Sequence, residues 1–145
     1  MNQIILASHG GLAAGAKDTL EMVLGDVSNV HVVSLARDDK EPITNKVEAL
    51  IATFNADDAV YVLTDMLGSS VNNNVVELSR KGTAFTVISG FNIPLALTLA
   101  MSPAPVKGAE LAALIDEARG GLVNPNAPQE VAAPAAKKGK PAHRN

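Results

Sequence analysis

Four short apolar runs, separated by stretches with helical periodicity, constrain the fold of this chain more than any other feature. Most of the runs are rich in β-branched residues, and they predict four strands, over residues 3–8, 30–35, 59–64 and 84–89. A strand without polar alternation is typical of a sheet that is buried on both faces. Strand–helix units in succession therefore predict a parallel α/β sheet with right-handed crossovers and helices on both faces.

Apolar residues at helical spacing predict five helices around these strands. The predicted helices span residues 12–24, 43–54, 70–79, a stretch that follows Pro94, and 109–119. Gly25 and Gly120 mark the ends of the first and last helices, because glycine readily takes the conformation that closes a helix. In the third helix, Val71 and Val75 are expected to face the core. The predicted fold class is thus a single-domain, doubly wound α/β sheet.

The chain of 145 residues is long enough for one domain with a substantial core, since 47% of its residues are hydrophobic. We expect this domain to cover residues 1–123. Residues 124–145 are rich in alanine, proline and lysine, and they predict a disordered tail or a linker to a second module. His143 lies in this tail, and we expect it to have no function.

The composition also restricts the function. The lack of cysteine excludes a disulfide framework, a thiol nucleophile and a thiolate metal site, and it allows a reducing, cytoplasmic setting. Residues 1–123 carry a formal charge of −6 and the tail carries +3, which argues against nucleic acid as a partner because phosphates require a basic surface. No apolar stretch is near the roughly 20 residues of a membrane span, and no signal peptide is evident.

His9 stands where the first apolar run ends in Gly10 and Gly11. Open α/β sheets bind ligands in the crevice beyond the carboxyl ends of the strands, so His9 is expected to face a ligand or a partner. An imidazole takes up and releases charged groups near neutral pH, and the two glycines let a phosphate or another backbone approach closely. His9 is therefore the first candidate functional residue.

Asp65 follows the third strand and is the expected neighbour of His9 if the first and third strands are adjacent. A carboxylate that accepts the proton of one ring nitrogen leaves the other nitrogen free to attack. Gly68, Ser69 and Ser70 come directly before a helix, where backbone amides and hydroxyls can hold an anion. Taken singly, Asp65 and Ser70 are as consistent with helix capping or a turn as with a functional role.

Four segments, read in order, resemble one known family. They are ILASHGGLA (5–13), EMVLG (21–25), TDMLGSS (64–70) and SGFNIP (89–94). Together they resemble the IIA (EIIA) domains of the mannose, fructose and sorbose type of the phosphoenolpyruvate-dependent sugar phosphotransferase system (PTS). The similarity covers about residues 1–123. The combination of the histidine with the segments at 64–70 and 89–94 is fairly specific for this family.

The resemblance implies a phosphocarrier. In this family, the histidine that matches His9 accepts a phosphoryl group on Nε2 from HPr and passes it to a IIB domain. The membrane components IIC and IID are expected to be only indirect partners of the IIA domain. The aspartate that matches Asp65 orients the ring. The phosphoryl oxygens are expected to contact Gly10, which follows the histidine, and Gly68, Ser69 and Ser70, which we call the serine loop.

The resemblance also implies an architecture. The family sheet has the strand order 2-1-3-4 and a short antiparallel fifth strand that is exchanged between the subunits of a homodimer. Leu122 and Val123, after the glycines that end the last helix, are the candidates for this fifth strand. The alanine-rich and proline-rich tail resembles the linker that joins IIA to IIB in some members.

Two departures from the family pattern concern the serine loop. The segment GSSV (68–71) stands where family members commonly have Gly-Gly-Ser-Pro, and the triplet NNN (72–74) is unusual. The phosphotransfer subunit of dihydroxyacetone kinase shares the fold and the histidine and is an alternative, although the segment GFNIP (90–94) favours the sugar-transport branch. A regulatory module that senses the phosphorylation state of its partners is a second alternative.

A hydrolase with Ser70, His9 and Asp65 as a triad is a third alternative, and the missing Gly-x-Ser-x-Gly elbow argues against it.

No metal is expected, because phosphoryl transfer requires positioning and donors that face the phosphoryl oxygens. The glycines near His9 match neither dinucleotide-binding nor P-loop motifs, so no cofactor is expected. His31 lies in the middle of a predicted strand and is expected to be structural, as a cross-strand neighbour.

Overall fold

The computed structural model describes residues 1–128, in which five helices surround one four-stranded sheet. None of these helices is long and apolar enough to cross a membrane. Strands and helices alternate up to β4, and two helices then follow in succession. The elements in chain order are β1 (Asn2–His9), α1 (Leu12–Leu24), β2 (Val30–Leu35), α2 (Ile43–Ile51), β3 (Ala59–Thr64), α3 (Ser70–Ser79), β4 (Thr86–Ser89), α4 (Ile93–Met101) and α5 (Gly108–Arg119).

The sheet has the order β2-β1-β3-β4, and each adjacent pair of strands is parallel. β1 lies inside the sheet, where Ile4 pairs with Val30 on one side and with Tyr61 on the other. The chain order reverses beside β1, so a crevice opens between the carboxyl ends of β1 and β3. The predicted strand order is therefore confirmed.

Side chains alternate across the sheet and form two cores. Ile4 and Leu6 pack with α1, α4 and α5 on one face, whereas Ile5 and Ala7 pack with α2 and α3 on the other. The first seven residues of β1 are all buried, because helices cover both faces of this strand. The predicted doubly wound α/β architecture is therefore confirmed.

The end of α2 and the start of β4 differ from their predicted positions for local reasons. α2 ends at Ile51 instead of reaching residue 54, because the amides of Thr53 and Phe54 bond to carbonyls three residues back and tighten the last turn. β4 begins at Thr86 instead of residue 84, because this edge strand pairs with β3 from Thr86 onwards. Both differences lie far from the carboxyl ends of the central strands.

Leu122 and Val123 do not form a strand in the described chain. They follow the last turn of α5 and are 90% and 55% exposed. The sheet of residues 1–128 accordingly has four strands, and the exchange of a fifth strand between subunits stays a prediction. The predicted tail starts at residue 124, and its part from residue 129, which includes His143, lies outside the described residues.

Candidate functional site

His9 is the last residue of β1 and the first in this strand to reach the surface. The seven residues before it are buried, whereas 47% of the His9 side chain is exposed. Gly10 then takes a φ of 57° and donates its amide hydrogen to the carbonyl of Leu35 at 2.9 Å. This turn ends the strand with the imidazole at the mouth of the crevice, because glycine adopts a positive φ without strain.

Asp65 follows β3 and accepts four hydrogen bonds with its two carboxylate oxygens. Oδ2 accepts one from the backbone amide of His9 at 2.9 Å and one from Nδ1 of the same residue at 2.8 Å. Oδ1 accepts one from the amide of Met66 at 2.8 Å and one from the hydroxyl of Ser69 at 2.9 Å. The predicted proximity of Asp65 and His9 is confirmed.

These hydrogen bonds favour the ionised form of Asp65. Partial burial raises its pKa, but the bonds from the amide and ring of His9, the hydroxyl of Ser69 and the amide of Met66 outweigh burial and hold the pKa below its ordinary value. An ionised carboxylate only accepts hydrogen bonds, so Nδ1 of His9 carries the proton in this contact. The neutral ring therefore has its lone pair on Nε2.

The lone pair of Nε2 faces Ser70, the first residue of α3. The hydroxyl of Ser70 lies 3.1 Å from Nε2 and donates a hydrogen bond to it when the ring is neutral. Ser70 therefore lies next to the position that a group bonded to Nε2 would take. The three side chains follow one another in the order Ser70, His9, Asp65.

Ser69, and not Ser70, is the residue that caps α3. The hydroxyl of Ser69 accepts a hydrogen bond from the amide of Asn72 at 3.1 Å and donates one to Oδ1 of Asp65 at 2.9 Å. The capping role considered for Ser70 is therefore wrong. Because the Ser69 hydroxyl is engaged in both directions, it orients Asp65 and is not turned towards Nε2.

Backbone groups at the start of α3 complete the site. The amides of Ser70 and Val71 have no acceptor inside the helix, because they belong to its first turn. Gly68 has a φ of 87°, and a Cβ at Gly68 or Gly10 would meet nothing within 4 Å. The amide of Gly10 is used in the sheet, so the glycines contribute open space and the first turn of α3 contributes donors.

Sequence reasoning missed the buried and half-buried polar residues beneath the site. Thr64 and Ser89 donate hydrogen bonds from their hydroxyls to Oδ1 of Asn72, at 2.6 Å and 2.5 Å. The buried hydroxyl of Ser8 accepts a hydrogen bond at 2.9 Å from an amide in the first turn of α1. Asn72 stands three residues before the inward-facing Val75, and a polar residue on an apolar helix face is a signal for such a partner.

His31 is the second residue of β2 and lies beside Ile5 of β1, away from the crevice, as the prediction of a cross-strand neighbour required. Its Nε2 is 2.8 Å from Oε1 of Gln3, and its ring centroid is 4.9 Å from that of Phe54. Burial lowers the pKa of His31, and the positive charge of Lys17 lowers it further. Within residues 1–128, no group of three or more histidine, aspartate or glutamate side chains is arranged to hold a metal ion.

Comparison with protein families gives one match that covers most of the folded chain. The family EIIA-man, described as the PTS system fructose IIA component, matches residues 3–118. The sorbose-specific EIIA component of Lacticaseibacillus casei is 27% identical over 101 residues, which cover 69% of this chain and 72% of that protein. The mannose-specific EIIAB component of Escherichia coli K12 is 30% identical over 100 residues, which cover 68% of this chain and 31% of that protein.

Solved structures agree with this match. The PTS IIA protein associated with the fucose utilization operon of Streptococcus pneumoniae has a TM-score of 0.69 and 30% identity, covering 85% of this chain and 92% of that chain. The mannose/sorbose-specific IIA subunit of Enterococcus faecalis has a TM-score of 0.73 at 23% identity, over 88% of this chain and 97% of that one, and supports the fold. The chain therefore belongs to the EIIA-man family of IIA components of the sugar phosphotransferase system.

Proposed function

We propose that this protein is a phosphocarrier in which His9 accepts a phosphoryl group from phosphorylated HPr and passes it to a IIB domain for sugar uptake. The supporting observation is that Asp65 holds Nδ1 of His9 at 2.8 Å while the side chain stays 47% exposed. Membership of the EIIA-man family supports a IIA component in general. The sugar-specific relatives favour this function over the phosphotransfer subunit of dihydroxyacetone kinase.

In the proposed step, the lone pair of Nε2 attacks the phosphorus of the donor's phosphohistidine. The Nε2–P bond forms as the donor's N–P bond breaks, and the donor ring leaves with the electron pair of that bond. The proton on Nδ1 stays on His9, so the phosphorylated ring becomes cationic and the carboxylate of Asp65 balances its charge. A nucleophile of the IIB domain then attacks the same phosphorus, and the Nε2–P bond breaks.

The start of α3 is the proposed cradle for the phosphoryl oxygens. Phosphoryl transfer has a loose transition state, so the protein contributes mainly positioning and hydrogen-bond donors. The hydroxyl of Ser70 lies 3.1 Å from Nε2, and it would turn from the nitrogen to a phosphoryl oxygen as the bond forms. The amides of Ser70 and Val71 are the backbone donors in this proposal, and Gly10 and Gly68 leave room for the group.

The assembly is part of the same proposal. Within residues 1–128, β4 is at the edge of the sheet and its outer side pairs with no other strand. Residues 122 and 123 of a second subunit would add an antiparallel strand there. A homodimer is the expected result in sedimentation at micromolar concentration, and a monomer would contradict it.

We also propose a IIA domain over residues 1–123 followed by a tail or linker. We further propose a cytoplasmic location, with which a chain without cysteine is compatible.

Phosphorylation in a purified system tests the function. The protein is incubated with radiolabelled phosphoenolpyruvate, enzyme I and HPr, and we expect about one phosphoryl group per chain, labile in acid and stable in alkali, as a phosphohistidine is. The variant His9→Ala should not be labelled, whereas His31→Ala, near the start of β2, should be labelled as the wild type is. Label that persists in His9→Ala would refute the assignment.

The order of Ser70, His9 and Asp65 also fits a hydrolase, so this activity needs its own test. Ser70 lies in the first turn of α3 within the segment GSSVN (68–72), which is not the Gly-x-Ser-x-Gly elbow of α/β-hydrolases. We expect no ester hydrolysis that depends on Ser70. Turnover of p-nitrophenyl acetate that is lost in Ser70→Ala would favour acyl transfer over the phosphocarrier.

A further inference from the structure

We propose that Asn72 is a positioning residue, which sets the place of the first turn of α3, and with it the hydroxyl of Ser70, relative to His9. The inference deepens the proposed function and rests on it. It starts from the buried side chains of Asn72 and Thr64 and the half-buried side chain of Ser89, which we together call the Asn72 clamp.

The Asn72 clamp joins three elements at one atom. Thr64 is the last residue of β3 and Ser89 is the last residue of β4, and both hydroxyls donate to Oδ1 of Asn72 in α3. The carbonyl oxygen has two lone pairs, so these two bonds satisfy it. Thr64 is fully buried and Asn72 is 2% exposed, which keeps water from competing for the same groups.

A short path leads from the clamp to the imidazole. The backbone amide of Asn72 donates to the hydroxyl of Ser69 at 3.1 Å, and this hydroxyl donates to Asp65 at 2.9 Å. Asp65 in turn accepts the hydrogen of Nδ1 of His9 at 2.8 Å. Ser70 stands two residues before Asn72 in the same helical turn, so the clamp that holds Asn72 also sets the distance from Ser70 to Nε2.

Packing alone would not require an asparagine at this position. Val71 and Val75 on the inner face of α3 are fully buried, and an aliphatic residue at position 72 would extend this apolar contact. Apolar contacts are non-directional and allow a helix to settle in slightly different places, whereas two hydrogen bonds to one oxygen specify its position. The presence of an asparagine at residue 72 is therefore explained by its role in placing α3 over the ends of β3 and β4.

Four variants separate positioning from stability. Asn72→Leu removes the acceptor and leaves the hydroxyls of Thr64 and Ser89 unpaired. The triple variant Thr64→Val/Asn72→Leu/Ser89→Ala also removes both hydroxyls, which relieves the cost of unpaired buried groups. Val75→Ala weakens the packing of α3 without touching the clamp, and Asn74→Leu makes the same substitution as Asn72→Leu at an exposed position.

Each variant is compared with the wild type in three measurements, namely phosphorylation of His9 at varied concentrations of phosphorylated HPr, thermal unfolding, and ¹⁵N NMR of the imidazole without any donor. For this single-turnover reaction, kcat denotes the limiting rate constant of phosphoryl transfer at saturating phosphorylated HPr, and KM denotes the HPr concentration that gives half of this rate. In Asn72→Leu and in the triple variant, we expect kcat to fall about tenfold or more and KM to change by less than about twofold, because a small displacement at a reacting centre is costly. The Nε2 resonance should move in both variants. Val75→Ala and Asn74→Leu should keep kcat and the Nε2 resonance of the wild type.

The triple variant decides the outcome because it is expected to regain stability without regaining the rate. Wild-type kcat and an unchanged Nε2 resonance in the triple variant would overturn the proposal. An equal loss of kcat in Val75→Ala would overturn it as well, since the effect would then follow stability. If the wild type accepts no phosphoryl group, the proposed function fails, whereas the NMR comparison still tests whether Asn72 positions Ser70.

Discussion

Oδ2 of Asp65 lies 2.8 Å from Nδ1 of His9 and 2.9 Å from the backbone amide of the same residue. One carboxylate oxygen therefore holds both the ring and the main chain of His9, and the ring cannot rotate without losing a charge-assisted hydrogen bond. The parallel pairing of β1 with β3, in which Ala7 lies beside Thr64, brings the two residues together at the ends of their strands.

Asp65→Asn should keep the fold and slow phosphorylation of His9 by on the order of 100-fold. An amide has one donor side and one acceptor side, so in either orientation its NH₂ group faces two of the four donors that surround Asp65. The measurement is the rate of labelling from phosphorylated HPr, with ¹⁵N NMR for the tautomer of His9. Asp116→Asn, on the exposed side of α5, is the control. An unchanged rate in Asp65→Asn would remove Asp65 from the mechanism.

Ser70→Ala should slow transfer by roughly tenfold or more, because a hydrogen bond to a charged group contributes about 1.5–3 kcal/mol. Ser70 is proposed to contact the phosphoryl group itself, so binding of HPr should be little affected and kcat should carry the loss. The variant also frees Nε2 from the resting contact at 3.1 Å. Transfer kinetics at varied HPr concentration separate the two quantities. Ser79→Ala, at the other end of α3, is the matched control, and a transfer rate in Ser70→Ala equal to that of the wild type would exclude Ser70 from the cradle.

Ser69→Ala and Ser69→Gly should differ in stability but share an effect on Asp65. Loss of the cap of α3 costs about 1 kcal/mol of unfolding free energy in the alanine variant and only a few tenths in the glycine variant. Both variants remove the hydroxyl that donates to Asp65, so the pKa of Asp65 should rise in both. Urea unfolding and NMR titration of the carboxyl carbon measure the two effects, and an unchanged pKa would contradict the role of Ser69.

His31 should make the stability of the protein depend on pH. Burial lowers the pKa of His31 in the folded state from its ordinary value of 6.5, so the unfolded chain binds a proton there more readily. The free energy of unfolding should therefore fall as the pH drops through 6.5 and should level off below the folded-state pKa of His31.

The variant His31→Gln lacks this titration and is the comparison. Urea unfolding at pH 8 and at pH 5.5 should show that the wild type loses more stability on acidification than His31→Gln does. An equal loss in both proteins would mean that other groups cause the pH dependence. Phosphorylation of His9 should not change in His31→Gln, because His31 lies near the start of β2 beside Ile5, whereas His9 lies beside Leu35 at the other end of β2.

The sequence determined the architecture and the convergence of His9 with Asp65. Uniformly apolar strands alternate with amphipathic helices, and this pattern requires a parallel sheet covered on both faces, since only that arrangement buries the strands on both sides. Residues that follow parallel strands emerge at the same edge of the sheet. The approach of His9 to Asp65 could therefore be predicted once β1 and β3 were taken as neighbours, and the bonds at 2.8 Å and 2.9 Å confirm it.

Only the tertiary structure decided which hydroxyl of the serine loop caps α3 and which one faces His9. Ser69 and Ser70 are adjacent and chemically identical, and the choice between capping α3 and facing His9 depends on where the first turn of the helix lies over the ends of the sheet. That placement is set by the bonds from Thr64 and Ser89 to Asn72, between residues that are 8 and 17 positions apart in the chain. Local patterns of hydrophobicity carry no information about such contacts, because the directions of the hydrogen bonds exist only after the helices have packed on the sheet.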